Sequence, residues 1–285
     1  MERARCAELG RLEGSERLSH SGEKGEKGVE FRRMSGHSKW HSIKHKKGAA
    51  DAKRGKIFTR LIKELTVAAR AGGGDPDMNP RLRTIIAEAK SNNMPADNIK
   101  RAIRRGTGEE PGVSYEEAQY EAYGPGGAAL IIDVLTDNKN RTVGELRHLL
   151  EKHGGNLAST NAVAWMFSKK GYIVIEKMKP PAIEEEKLMS AVLDAGADDL
   201  QDDEDNWEVF STPEAFPRVN DAVKQLGVEP ATAKISMIPQ NYVKLEGKPA
   251  QQMVKLMEAL EEHDDVQNVS SNFDISEKEI EASLA

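Results

Sequence analysis

The spacing of apolar residues changes near Gly108, and this change restricts the chain to folds that join a helical part to mixed α/β parts. From Lys56 to Gly106 the apolar residues recur every three or four positions, as they do on one face of an α-helix. After Gly108, short runs rich in β-branched and aromatic residues alternate with helical stretches. The pattern predicts an α+β protein: an N-terminal helical bundle followed by two ferredoxin-like α/β sandwich domains.

Three amphipathic helices are predicted before Gly108. The first covers Lys56–Ala71 and ends at a run of three glycines. Its apolar residues lie on one side, and a basic stripe of Lys56, Arg60, Lys63 and Arg70 lies opposite. Asn79 and Pro80 supply a cap and a first-turn proline for the second helix. Pro95 marks the start of the third helix, which we expect Gly106 to end.

The region after Gly108 predicts repeated strand and helix units. Gly124–Gly127 forms a turn between two strands, and a helix over Thr142–His153 follows, with Asn140 or Thr142 as its cap. The segment AWMFSKKGYIVIE is interpreted as a hairpin that turns at Lys169–Gly171. Further helices are predicted at 184–195, 213–226 and 251–263, with a strand pair across the acidic turn at 202–205 and a terminal strand.

The two parts of the chain carry opposite charge. Residues 34–106 contain 17 Lys and Arg against 6 Asp and Glu, whereas residues 107–285 contain 16 against 34. The overall charge of −6 conceals this difference. A basic region attached to acidic domains indicates that only the first part contacts a phosphate backbone, because the remainder would repel it.

Composition sets the broad class. Cys6 is the only cysteine, which excludes an intramolecular disulfide and a cysteine zinc cluster and favours the cytoplasm. No apolar run approaches the roughly 20 residues that cross a bilayer. Residues 1–33 lack an apolar core and match neither a signal nor a transit peptide, so we interpret them as a disordered extension, or as a misassigned start with Met34 as the first residue.

Long ordered motifs give the chain a recognisable resemblance. The segments MSGHSKWHSIKHKKGAADAKRGKIFTRLIKEL, GGGDPDMNPRLRTIIAEAKSNNMPADNIKRAIRRGTGE, YGPGG, TDNKNRT, HGGNL and VAWMFSKKG resemble the YebC/PmpR family, whose mitochondrial relatives activate translation of cytochrome oxidase. The resemblance covers residues 35–285. Ala122 and the segment 157–163 depart from the family pattern, since both lack expected glycines.

The resemblance implies three domains, with the third inserted in the second. We therefore expect a basic helical domain at 34–107, a discontinuous α/β domain at 108–162 and 240–285, and an acidic α/β domain at 163–239. The family includes DNA-binding transcriptional regulators and ribosome-associated translation factors. Duplex DNA is accordingly the first expected partner and ribosomal RNA or the ribosome the second. A protein-interaction scaffold that uses the acidic domains is a third alternative.

Basic and aromatic residues of the first domain are the candidate nucleic-acid contacts, because cations neutralise phosphates and a ring can stack on a base. They are His37, Lys39, Trp40, His41, Lys44, His45, Lys46, Lys47, Lys53, Arg54, Lys56, Arg60, Lys63, Lys100, Arg101, Arg104 and Arg105. His37, His41 and His45 at four-residue steps offer an alternative as metal ligands, which Gly36 and the flanking cations disfavour.

No catalytic, cofactor or metal site is expected. The chain shows no HExxH motif, no phosphate loop and no nucleophile placed beside a base. Asp202–Asp205 lacks the calcium-loop pattern and is interpreted as a solvated turn. Asp137, Asn138, Asn140 and Arg141 suit either a recognition loop or a helix cap. The sequence thus favours a cytoplasmic binding protein with no membrane contact and possible protein partners at its acidic domains.

Overall fold

The structure, a computed structural model, describes Trp40 and residues 50–177, 183–202 and 206–284. These residues belong to the compact unit formed by residues 33–285. The predicted extension at 1–33 and the start at Met34 lie outside the described residues. No helix in the described ranges is long and apolar enough to cross a membrane.

The first part consists of α1 (Ala50–Gly72), α2 (Pro80–Ser91) and α3 (Ala96–Thr107). Their apolar faces meet in one cluster that includes the buried side chains of Leu65 and Leu82. The spacing of three to four residues predicted this packing, because it places such side chains on one face of each helix.

One helix cap lies where the sequence predicts it, and another does not. Asn79 caps α2 as predicted: its Oδ1 accepts the Leu82 amide hydrogen bond at 3.1 Å. The prediction that Gly106 ends α3 is wrong, because the helix continues to Thr107 and Gly108 closes it with a φ of 84°. Gly106 is instead a contact point between helices. A Cβ there would lie 2.4 Å from the Thr66 carbonyl oxygen.

The elements after α3 alternate between strands and helices. In chain order they are β1 (Glu116–Tyr123), β2 (Ala129–Thr136), α4 (Lys139–Lys152), β3 (Asn156–Leu157), β4 (Phe167–Glu176), α5 (Glu185–Asp194), β5 (Ala197–Asp202), β6 (Asn206–Ser211), α6 (Phe216–Gln225), β7 (Thr232–Pro239), β8 (Val243–Lys244), α7 (Gly247–Glu262), β9 (Val266–Ser271), β10 (Phe273–Asp274) and α8 (Glu277–Leu284). Short 3-10 turns lie at Pro125–Gly127 and Ala164–Met166. The protein is α+β, as its sequence predicts.

The first sheet has the strand order β3-β1-β2-β9. Leu130 of β2 pairs with Ser271 of β9, so this sheet takes strands from both sides of the segment β4–β7. Helices α4, α7 and α8 contribute to its buried core, through Leu146, Leu260 and Ile280 among others. The sequence did not predict α8.

The second sheet has the strand order β5-β6-β4-β7, and α5 and α6 share its apolar core. Strand β4 is continuous, so the predicted hairpin at Lys169–Gly171 is wrong. Gly171 serves helix packing rather than a turn. A Cβ on it would lie 2.4 Å from Ser211 Oγ and 2.7 Å from Phe216 Cβ. On these separate cores we propose the domain limits 34–107, 108–162 with 240–285, and 163–239.

The start of α4 also differs from the prediction. Neither Asn140 nor Thr142 is the cap: Asn138 is, and its Oδ1 accepts the amide hydrogen bond of Arg141 at 3.1 Å. Of the two alternatives for this segment, the structure therefore shows a helix cap. Thr142 is buried and its hydroxyl donates to Asp265 Oδ2 at 2.8 Å, a contact that belongs to the network described below.

Candidate nucleic-acid interface

The basic stripe of α1 faces the segment that joins α7 to β9. Lys56 Nζ donates to the Glu262 carbonyl at 2.7 Å, and Arg60 Nη1 donates to the Gln267 carbonyl at 2.9 Å. One turn further, Lys63 Nζ donates to Asp265 Oδ1 at 2.8 Å and to the Asp264 carbonyl at 2.9 Å. Three cations of the stripe that the sequence assigns to phosphate thus dock the first helix onto residues 262–267 of the same chain, whereas the fourth, Arg70, donates to the Tyr115 carbonyl at 3.4 Å.

Asp265 is the centre of this contact. Its side chain is only 5% exposed and that of Lys63 only 8%. Arg141 Nη2 lies 2.9 Å from the second carboxylate oxygen, which also accepts the Thr142 hydroxyl hydrogen bond. Burial by itself would raise the pKa of Asp265, but the hydrogen bonds from Lys63, Thr142 and Arg141 outweigh it and hold the pKa well below its ordinary value. The carboxylate is therefore charged and fully engaged.

Two predicted nucleic-acid contacts do not fit this structure. Lys63 is buried in the ion pair with Asp265 and cannot reach a phosphate without breaking it. Trp40 is fully buried in the core of the first sheet, and its Nε1 donates to Glu261 Oε1 at 2.9 Å, so its ring is not a stacking platform for a base. Both predicted contacts are wrong because the two side chains are buried, and a group that contacts nucleic acid has to be reachable from solvent.

Other predicted contacts on α1 and before it have different outcomes. Lys56 and Arg60 remain exposed, and their hydrogen bonds go to carbonyl oxygens, which do not neutralise their charges; Arg60 Nε also lies 4.0 Å from Glu64 Oε1. The side chains of Lys53 and Arg54 lie outside the described residues. So do the remaining candidates of the N-terminal segment: His37, Lys39, His41, Lys44, His45, Lys46 and Lys47. The alternative metal site at His37, His41 and His45 lies there too.

The outer face of α3 presents four cations together. All four are exposed: Lys100, Arg101, Arg104 and Arg105. At 100° per residue, their positions span about 140° around the helix axis, so they lie on one side of the helix. Arg104 pairs with Glu110 at 2.7 Å. Within the part of the chain that the structure describes, the other three have no carboxylate partner within 4.0 Å. This face of α3 therefore places three cations in solvent that no described carboxylate neutralises.

Sequence reasoning missed two further exposed cations on α2. Arg83 and Lys90 lie seven residues apart on the solvent side of that helix, and no ion pair to them occurs among the described residues. The helical period could have identified them, since Leu82, Ile85 and Ala89 define the buried side.

One group of metal-ligand atoms was not foreseen. Atoms of Glu145, His263 and Asp265 lie within 4.8 Å of one another. His263 Nε2 already contacts Glu145 at 2.9 Å, and its Nδ1 accepts the Asp265 amide hydrogen bond at 3.1 Å. The cations of Lys63 and Arg141 lie against Asp265 and would repel a metal ion. The arrangement serves the ion-pair network better than it would serve a metal.

Comparison with known proteins agrees with the architecture. Residues 38–109 match the profile of the TACO1/YebC protein N-terminal domain, and residues 115–273 match that of the TACO1/YebC second and third domain. The chain belongs to the TACO1/YebC family. The resemblance seen in the sequence motifs is thereby confirmed.

Several relatives in the TACO1/YebC family match this chain over nearly the whole of their own length. A probable transcriptional regulatory protein of Acidobacterium capsulatum is 61% identical over 246 residues, which are 86% of this chain and 98% of that protein. One of Geobacter sulfurreducens is 57% identical, over 87% of this chain and 99% of that protein. Among solved structures, a conserved hypothetical protein of Aquifex aeolicus is 45% identical, with a TM-score of 0.73 over 82% of this chain and 96% of that one.

Proposed function

We propose that this protein is a nucleic-acid-binding regulatory protein whose first domain holds a phosphate backbone on the outer face of α3. The observation that carries the proposal is the exposed set Lys100, Arg101 and Arg105 on that face, for which the described residues offer no carboxylate partner. Cations of this kind supply most of the sequence-independent affinity for a polyanion through counterion release. The relatives' name, probable transcriptional regulatory protein, supports a role in regulation.

The acidic remainder of the chain limits how the nucleic acid is held. Residues 107–285 contain 34 Asp and Glu against 16 Lys and Arg, so they repel phosphates and orient the ligand toward the first domain. We propose that this acidic surface is also where a basic protein partner would dock. Asp265 has a strongly lowered pKa, but its carboxylate is fully used in the docking of α1, so we propose binding rather than catalysis. A single cysteine suits a reducing compartment, and we propose the cytoplasm.

The test uses the full chain and a matched pair of triple variants. Lys100→Gln, Arg101→Gln and Arg105→Gln together remove three charges from α3. The control changes three exposed cations of the second sheet's helices, Lys187→Gln, Arg218→Gln and Lys224→Gln.

Dissociation constants for a duplex DNA are measured at several salt concentrations. Each lost phosphate contact lowers the slope of log K against log salt by about 0.9, so the α3 variant should lose roughly 2 to 3 units of slope. The control should bind as the unaltered protein does. Equal slopes for the two variants would place the nucleic acid elsewhere on the molecule.

Duplex DNA is the first proposed target and ribosomal RNA the second. Ribosome co-sedimentation at matched salt, alongside competition between the duplex and a structured ribosomal RNA fragment, separates them. Selective duplex binding without ribosome association supports transcriptional control. Ribosome association with a preference for the RNA would make the protein a translation factor that uses the same basic face.

A further inference from the structure

A crevice of about 170 Å³ lies beside the basic face of α3, between α1 and the segment that leads to β1. Thr66 is fully buried and lies at its floor with Ile62, whereas Val113 is 49% exposed and lies at its mouth. The Thr66 hydroxyl donates to the Ile62 carbonyl at 2.8 Å, so its hydrogen-bonding demand is met and the floor is effectively apolar. Such a lining favours an uncharged, flat group over an ion.

The polar parts of the lining come from Tyr115 and Arg105. Lys63 Nζ lies over the Tyr115 ring, 5.5 Å from its centroid, while the Tyr115 hydroxyl has no hydrogen-bond partner among the described residues. The Arg105 stem packs on Gly112, where a Cβ would lie 3.1 Å from Arg105 Cγ. An aromatic wall and a positioned guanidinium therefore share one small space.

Arg105 links this crevice to the surface proposed for phosphate. It belongs to the exposed cationic face of α3 and also lines the crevice, so a ligand that follows this face passes the mouth at Val113. In single-stranded nucleic acid, unstacked bases stack on aromatic rings and on arginine guanidinium groups of the protein. One water occupies about 30 Å³ of liquid, so the crevice has room for a planar ring in place of a few waters.

We propose that this crevice takes one unstacked nucleobase of the nucleic acid held by α3, with the base against Tyr115 and the adjoining phosphate on Arg105. The inference rests on the proposed function and deepens it. A base paired inside a duplex cannot enter the crevice unless it is flipped out of the stack. The ligand therefore contains unpaired nucleotides at this point, in DNA or in RNA.

The experiment measures binding of the full chain to single-stranded 12-residue DNA and RNA oligonucleotides that carry 2-aminopurine, and to a fully paired duplex of the same sequence. Tyr115→Ala should weaken single-strand binding about tenfold, the range that one base–aromatic stack supplies, and abolish quenching of the 2-aminopurine. Tyr115→Phe keeps the ring and should restore both. Duplex binding and the salt slope should not change. The DNA and RNA arms identify which nucleic acid supplies the base.

Two further variants guard against loss of folding. Val113→Asp places a carboxylate at the exposed mouth and should weaken single-strand binding with an unchanged melting temperature. Trp165→Ala removes another exposed aromatic ring, one that is 64% exposed outside the crevice, and should have no effect. If the unaltered protein binds through α3 but Tyr115→Ala and Val113→Asp bind single strands normally, the crevice assignment is wrong and the proposed function stands. If the unaltered protein binds none of the oligonucleotides, both fail.

Discussion

Replacing Lys63 by Met should destabilise the protein rather than weaken nucleic-acid binding directly. Lys63 Nζ donates to Asp265 Oδ1, to the Asp264 carbonyl and, at 3.4 Å, to the Leu135 carbonyl, and both members of the ion pair are more than nine-tenths buried. Removing one partner of a buried pair costs roughly 3–5 kcal/mol. Arg141 and Thr142 would remain on the Asp265 carboxylate, so we expect the lower end, about 3 kcal/mol.

Thermal unfolding followed by circular dichroism measures this change. At roughly 2–4 °C per kcal/mol for a chain of this size, the melting temperature should fall by about 6–12 °C. Lys100→Met is the matched control, since Lys100 is exposed on α3 and its loss should cost less than about 0.5 kcal/mol. If Lys63→Met melts like the control and loses more nucleic-acid affinity than the control does, then Lys63 contacts phosphate and the buried ion pair is not what holds α1 in place.

Two other perturbations test the packing on two sides of α1, at Asp265 and at Gly106. Because the pKa of Asp265 is lowered on folding, its stabilising contribution is complete above its unfolded pKa of about 3.9 and is lost as pH falls below that value. Melting temperatures measured from pH 6 to pH 2 should show this loss, and Asp265→Asn should flatten it. Gly106→Ala should cost about 1–3 kcal/mol because its Cβ would meet the Thr66 carbonyl, which chemical denaturation can measure. Gly55→Ala, with open space around it in α1, should instead stabilise the helix by up to about 1 kcal/mol, and an equal loss in both variants would contradict the steric argument.

The sequence predicted the fold class and most elements because helical and strand periods are local properties. Asn79 and Pro80 identified the start of α2 through chemistry that acts within one turn. The two glycines that were misread, Gly106 and Gly171, are required by contacts with residues distant in sequence, Thr66 and Phe216. A glycine signals either a chain reversal or a close approach, and single-sequence reasoning cannot distinguish these without the partner.

The predictions for the candidate site also succeeded where local sequence decides the structure and failed where a distant residue does. Helical spacing correctly placed Lys63 opposite the apolar side of α1, but an amphipathic pattern only shows that a face is polar. It does not show whether that face meets solvent or a carboxylate such as Asp265, which follows two hundred residues later. The α3 cations, by contrast, face outward as expected, since their environment depends on the helix and its near neighbours.

The pairing of β2 with β9 also sets the order in which the chain can fold during synthesis. Leu130 is made long before its partner Ser271, and a ribosome that adds roughly 5–20 residues per second leaves β2 with one open edge for on the order of 10 s. An open edge next to the apolar run of β2 invites pairing with other strands. The second sheet involves only residues made before β9, so the first sheet begins early and is completed only after the second sheet has been synthesised.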